Sequence, residues 1–249
     1  MSLATLAPLL SIENVSKTYY RGPHQLQVLC DVSLDVFAGD FIAIYGQRSA
    51  GKTTLLKVAA GVELPDAGTV SFAGDDLATL SRRRLAALHR EEIGWVRRAG
   101  PQSQDLRMID HVALPLLSSL GQQGAQRKAK AALTKVGVGG IGFEHWGSLS
   151  DAERMAVALA QGLVREPRVL LVDDPTAGLD VLERERIIAL IRAVADEGRL
   201  GVVMVVPELP AMLRARDVRS LSAGRLLAPD PPPGGHGVVV DFPGGERSA

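Results

Sequence analysis

The stretch Phe41-Ile42-Ala43-Ile44-Tyr45-Gly46-Gln47-Arg48-Ser49-Ala50-Gly51-Lys52-Thr53-Thr54 decides the fold. Its first five residues form a short continuous apolar run, which suits a strand buried on both faces. Gly46 to Thr53 then reads G-x-x-x-x-G-K-[ST], and Lys52 to Ala60 carries helical spacing until Gly61 stops it. Strand, loop and helix in this order make a phosphate-binding turn. Small residues let the backbone curl so that its N–H groups point inward at a phosphate. Lys52 supplies a point charge, Thr53 offers a hydroxyl to Mg²⁺, and the helix adds the positive end of its dipole. The bland alternative is a Gly-containing turn with a solvated lysine; the apolar run before the loop and the helical run after it favour a nucleotide.

The rest of the chain bounds this reading. Its 249 residues allow one large or two small domains. The 28 basic residues balance the 28 acidic ones, so no bulk charge draws the chain to nucleic acid, and none is expected as a partner. Cys30 is the single cysteine, which excludes an intrachain disulfide and reads as a buried structural thiol. The N-terminus lacks the basic region of a signal peptide, and no apolar run nears the roughly 20 residues that span a bilayer. A cytoplasmic protein follows as the expectation, with any membrane role exercised through a partner. His24, His89, His111, His145 and His236 show no metal-ligand spacing. Surface or packing roles are expected for them, as packing is for Trp95 and Trp146.

Along the chain, Ser11 to Val15 and Leu26 to Phe37 have strand patterning, separated by Gly22-Pro23. Thr69 to Ala73 reads as a strand after the turn Pro65-Asp66-Ala67-Gly68, and Ser81 to Glu92 as a helix rich in arginine (Arg82, Arg83, Arg84, Arg90). That helix reads as a solvated face, with contact to another subunit as the alternative. From Met108 to Val164 helical periods alternate with Gly-rich turns, notably Gly137 to Gly142. The apolar run Val169 to Val172, the helix Val181 to Ala195 and the strand Gly201 to Val206 then restore β/α alternation. The expected fold class is α/β: a mainly parallel sheet with ligand at the strands' carboxyl ends and a helical subdomain inserted into it. The Pro- and Gly-rich segment after Ala228 leaves residues 229–249 as a flexible tail, with one short strand at Val238 to Val240.

A second constellation carries a family resemblance. Val169-Leu170-Leu171-Val172-Asp173-Asp174-Pro175 is an apolar strand ending in acids, followed at once by Thr176-Ala177-Gly178-Leu179-Asp180. Upstream, Leu149-Ser150-Asp151-Ala152-Glu153 opens a helix. In this order, from about residue 9 to 228, the chain resembles the ATP-binding subunit of ABC transporters. Ser11 to Tyr19 and His111 to Leu117 look most like the branch serving lipoprotein release and macrolide efflux. The resemblance implies a P-loop NTPase core of the ABC type, from about 1 to 96 and 166 to 228, with an antiparallel β subdomain and a helical subdomain from about 97 to 165. It implies ATP and Mg²⁺ as ligands, a second ATP-binding subunit (identical or not) facing head to tail, and an integral-membrane permease. The chain would then sit on the inner face of the cell membrane.

Residue roles follow from the same resemblance. Tyr19 would stack on adenine, with Tyr20 the candidate if the register slips and edge-strand packing the plain alternative. Gly46, Arg48, Ser49, Ala50, Gly51, Lys52, Thr53 and Thr54 would hold the phosphates. Thr53 and Asp173 would hold Mg²⁺, and Asp180 would lie in a loop crossing to the second subunit. Ser150 and Asp151 would face the partner's ATP.

Four positions depart from the family pattern. Arg98 stands where the family has glutamine, Asp174 where it has the catalytic glutamate, and Pro207 where it has histidine; Leu149 to Glu153 reads LSDAE in place of LSGGQ. Asp174 is shorter than glutamate by one methylene, about 1.5 Å, and a misplacement near 1 Å costs about 10²-fold in rate. Pro207 has no imidazole and no N–H to offer a γ-phosphate. Arg98 replaces a neutral amide by a fixed cation, which would pair with phosphate or with Asp173 or Asp174 and partly displace Mg²⁺. Ser150 to Glu153 fits the S-x-x-E capping box, so this helix start carries its own carboxylates. Like charges about 4–6 Å apart repel by a few kcal/mol at an effective dielectric near 20, which opposes a facing ATP; Arg154 offsets part of this. The bland reading is a capped helix that no longer touches nucleotide.

These departures separate two expectations. One is a subunit that binds ATP as a clamp with slow or absent hydrolysis; the other is a fully active ATPase driving export or lipoprotein release. A soluble ABC-type ATPase acting on nucleic acid or ribosomes is a minor third, since such chains usually carry two cassettes.

Overall fold

Two sheets organise the computed structural model, which describes residues 7–97, 105–198, 200–208 and 217–227. In the smaller sheet, β1 (Leu10–Arg21) lies between β2 (His24–Val36) and β4 (Ala67–Phe72), with the two-residue β5 (Asp75–Asp76) beyond β4, all antiparallel. The larger sheet centres on β3 (Phe41–Tyr45), flanked by β8 (Gly201–Val206) and β9 (Asp217–Ser222). β7 (Val169–Asp173) and β6 (Ile93–Arg97) extend it on the β8 side, and β10 (Arg225–Leu227) closes the other edge. Five of these strands run parallel and only β10 is antiparallel.

Strand alternation divides the interior into two cores. Ile42, Ile44, Val169, Leu171, Val203 and Val205 face the antiparallel sheet and the helix α1 (Lys52–Ala59). Ala43, Leu170, Val172, Val202 and Met204 face the opposite way, against α5 (Asp151–Leu163) and α6 (Val181–Gly198). A strand buried on both faces has no polar position, which is why β7 and β8 read as unbroken aliphatic runs. Each such leucine or valine contributes about 1.5–3 kcal/mol by leaving water.

The helical segment leaves and re-enters the larger sheet at one edge. β6 and β7 are parallel neighbours, Ile93 opposite Val169, yet α3 (Met108–Ala113), α4 (Leu117–Lys135) and α5 lie between them in sequence. Along α4, alanines at positions 125, 129 and 132 with Leu133 form the buried stripe. Small residues there let α4 pack closely on α3 and α5, as helical spacing requires. Gly121, at φ 65°, breaks α4 near its start.

Several sequence expectations shift at their ends. β1 runs on to Arg21 instead of ending at Val15, because β2 follows it through three irregularities between Ile12 and Thr18. Asn14 at φ 49° and Asp31 at φ 54° absorb those register changes, and neither is visible as alternation. α6 continues to Gly198, and α2 (Arg82–Glu91) begins after Ser81, whose Oγ accepts the Arg84 N–H at 3.2 Å. Cys30 is half-buried, not enclosed as expected; it lies on β2, the edge strand of the smaller sheet, and its N–H donates to Gly224 O (2.8 Å). The stretch 229–249 with Val238 to Val240, His236, and residues 98–104 at the start of the expected helical subdomain lie outside the described residues.

Candidate functional site

Three strand ends of the larger sheet converge on the phosphate loop. β3 runs into Gly46, β7 ends at Asp173, and β8, lying between them, is followed by Pro207. The loop is tethered at its start by Gly46 N–H to Val206 O (3.2 Å) and turned by Ala50 N–H to Gln47 O (3.2 Å). Both motif glycines are required by crowding. A Cβ on Gly46 would lie 2.4 Å from the carbonyl oxygen of Leu221, and one on Gly51, at φ +100°, would lie 2.7 Å from that of Val28. Ser49 takes a left-handed φ of 65° without being glycine, local strain of the kind that gathers at ligand sites.

Lys52 folds over the loop, donating to the carbonyls of Gly46 and of Gln47, the latter at 2.8 Å. Its pKa is lowered by burial, against the opposing pull of Asp174 and Asp173. Thr53 Oγ1 donates to both oxygens of Asp173, at 3.0 and 3.2 Å. The two candidate Mg²⁺ ligands, 120 residues apart in sequence, thus meet as a hydroxyl and a carboxylate, the hard oxygen donors that Mg²⁺ takes. Asp174 bends away at φ 49° with its N–H held by Val205 O (2.9 Å). α1 begins behind the loop with no side-chain cap and no acid in its first turn, so its N–H groups remain available to an anion.

Beside the loop, a cleft of about 490 Å³ is bounded by Leu26 to Val28, Tyr45 to Ala50, Pro207 and the β9–β10 turn. Tyr19 and Tyr20 point to opposite faces of β1. Tyr20 is 74% exposed, whereas Tyr19 is half-buried with its hydroxyl 3.5 Å from Thr54 Oγ1 and hydrogen-bonded to Glu63. Sequence reading missed Glu63 and its partner Lys57 (2.7 Å); no spacing links Glu63 to a tyrosine 44 positions upstream.

The start of α5 is the reverse of the start of α1. Ser150 Oγ accepts the Glu153 N–H (3.2 Å) and Glu153 Oε2 accepts the Ser150 N–H (2.8 Å), the full capping box that the S-x-x-E spacing predicts. Asp151 pairs with Arg154 at 3.2 Å, and Arg154 also lies over the Trp146 ring, 5.8 Å from its centroid. Asp180 builds a second box at α6, accepting the Glu183 N–H (2.8 Å) while Glu183 accepts that of Asp180 (3.2 Å). The structure therefore gathers Tyr19, Gly46 to Thr54, Asp173, Asp174 and Pro207 into one region, whereas Ser150 and Asp151 open a separate helix of the inserted segment. Arg98 lies outside the described residues. Among the described residues no group of three His, Cys, Asp or Glu side chains forms a metal-binding cluster, and no helix is long and apolar enough to cross a membrane.

The sequence profile of the ABC transporter family matches residues 29–177. The lipoprotein-releasing system ATP-binding protein LolD of Chromohalobacter salexigens is 34% identical over 220 residues, covering 88% of this chain and 92% of that protein. The LolD protein of Bordetella pertussis is 36% identical over 222 residues, covering 88% and 95%. A dimeric bacterial ABC transporter cassette, MJ0796, superposes with a TM-score of 0.79 at 25% identity, covering 87% of this chain and 96% of that one. The same cassette bound to ADP and Pi gives 0.78. Sequence and fold agree over most of the chain, and on that agreement the protein belongs to the ABC transporter family, among its ATP-binding subunits.

Proposed function

We propose that this chain binds Mg-ATP at the Gly46–Thr54 loop, pairs with a second ATP-binding subunit around the nucleotide, and signals its occupancy to a membrane permease with little or no hydrolysis. The permease would be of the lipoprotein-release kind, as the names of the LolD relatives suggest, and would hold the chain at the inner face of the membrane. One observation carries the reading: the helix start at Ser150, which in such a pair would meet the partner's γ-phosphate, is closed by its own Ser150–Glu153 capping box and carries two acids, Asp151 and Glu153, in its first turn.

In binding, the loop backbone and Lys52 take the phosphates, and release of Lys52 from the Gly46 and Gln47 carbonyls accompanies their entry. Mg²⁺, held by Thr53 and Asp173, would neutralise charge on the β- and γ-phosphates. Tyr19 would present its ring to adenine, and Ser49 and Arg48 line the solvent side of the loop. Asp174 stands at the base position but is short of an attacking water. Pro207 contributes no hydrogen bond, and Arg98 would add a fixed cation in place of an amide.

The test is phosphate release with Mg-ATP, with and without the cognate permease, beside the Lys52→Ala variant as background. Release equal to that background, together with an ATP-induced rise in melting temperature, is the expected outcome. Turnover well above background would establish the competing reading, a fully active ATPase, which the intact Thr53–Asp173 contact favours.

A further inference from the structure

We infer that Glu63 is a positioning residue for the base of the nucleotide: it locks the Tyr19 hydroxyl and so fixes the ring that adenine would meet. The inference rests on the proposed Tyr19–adenine contact and extends it to a residue outside the phosphate loop.

The geometry starts at the end of α1. Gly61, at φ 68°, reverses the chain, and the N–H groups of Val62 and Glu63 both return to the carbonyl of Lys57, at 2.9 and 3.3 Å. That turn aims the Glu63 carboxylate back along α1, where one oxygen takes Lys57 Nζ at 2.7 Å and the other takes the Tyr19 hydroxyl. Both bonds hold the Glu63 carboxyl below its ordinary pKa, so it stays an anion and an acceptor. Three residues on, Asp66 grips the strand just before Tyr19, accepting the Thr18 N–H at 2.7 Å and Lys17 Nζ at 2.9 Å. Lys17 Nζ also reaches Leu64 O at 2.8 Å, and Asp66 N–H returns to Ser16 O at 2.9 Å.

The last turns of α1 and the Tyr19 end of β1 are therefore one clamped unit. α1 is also the helix whose first turn carries Lys52 and Thr53, so the clamp sets the distance between ring and phosphates. A tyrosine ring left free at a half-buried strand position samples more than one rotamer, and ordering it on binding costs affinity. The clamp removes that cost before ATP arrives.

Isothermal titration of the full chain with Mg-ATP and with inorganic tripolyphosphate separates ring from phosphates. Tyr19→Phe keeps the ring and cuts the lock, Glu63→Ala cuts the lock from the other side, and Tyr19→Ala removes the ring. The cost of ordering one freed side chain on binding predicts that Tyr19→Phe and Glu63→Ala each weaken ATP by about fivefold. Tripolyphosphate binding stays unchanged, and the double variant is no worse than either single one. ATP unaffected in both lock variants but weakened in Tyr19→Ala would overturn the clamp and leave the adenine contact standing. If Tyr19→Ala binds ATP as wild type does, the adenine contact itself fails, and the clamp with it. Equal weakening of ATP and tripolyphosphate in Glu63→Ala would assign Glu63 to the phosphate loop instead of the ring.

Discussion

Two helices of this molecule begin in opposite ways. α1 starts at Gly51 with no side-chain cap and no acidic residue in its first turn, and Lys52 stands over the opening. α5 starts at Ser150 with both halves of a capping box made and two acids, Asp151 and Glu153, in its first turn. Every helix leaves N–H groups unpaired at its start, and sequence decides whether a ligand or the chain itself satisfies them. At α1 the vacancy is kept, at the expense of local stability; at α5 a capping box fills part of it and two first-turn acids oppose an anion there. On the proposed pairing, in which a nucleotide would touch both starts, α1 is the one suited to phosphate.

The largest test of this contrast is Lys52→Ala. Removing the one cation over the open helix should weaken ATP by about 100-fold, the scale of a lost charge-assisted pair of hydrogen bonds, and should abolish the ATP-induced thermal shift. The unliganded melting temperature should barely move, since among the described residues the hydrogen bonds of Lys52 go to loop carbonyls. Reopening the other helix comes next. Asp151→Gly with Ala152→Gly and Glu153→Gln should strengthen ATP-driven dimerisation by about tenfold, because the like-charge repulsion that remains after Arg154 and salt have offset most of it is removed. Sedimentation with and without ATP reads this, and an unchanged dimer fraction would mean that the acids at α5 do not face nucleotide. Smaller again is Ser150→Ala, which should cost about 1 kcal/mol in denaturant unfolding while leaving the ATP affinity of the monomer untouched.

The open helix was the more legible of the two in sequence. Gly46, Gly51 and Lys52 announce themselves by spacing, and the apolar runs at Phe41, Val169 and Gly201 place three parallel strands because a doubly buried strand tolerates no polar residue. The Ser150 box, being entirely local, was plain as a cap but not in what it means for a ligand. Long-range contacts were not. That Thr53 meets Asp173 rests on strand order, which the family resemblance supplied and composition did not. Glu63 stayed hidden because its bond to Tyr19 crosses from one sheet to the end of a helix, with nothing periodic to mark it. The irregular β1–β2 pairing was missed for a different reason: left-handed residues such as Asn14 and Asp31 shift the register, so alternation fails where the strand continues.

The smallest expected effect lies beneath α5, at His111 on α3. His111 is 4% exposed, its ring is 6.1 Å from that of Trp146, and among the described residues no side chain or backbone group hydrogen-bonds its Nδ1. Burial holds its pKa below the ordinary 6.5, since the charged imidazolium would lose its hydration there. The unfolded chain therefore takes up this proton first as pH falls through about 6.5, and the stability that neutral His111 contributes above that value is lost on the way down to its folded pKa. Trp146 also carries the Arg154 that pairs with Asp151, so loosening here reaches the capped helix start and not the open one. His111→Leu, close in volume and free of the unpaired nitrogen, should change stability at pH 7.5 by less than about 1.5 kcal/mol. It should also show a smaller drop in melting temperature than wild type between pH 7.5 and 5.5. Equal drops in the two proteins would show that His111 does not carry this pH dependence. A drop in ATP affinity at pH 5.5 that His111→Leu abolishes would join the two helix starts that the present contrast keeps apart.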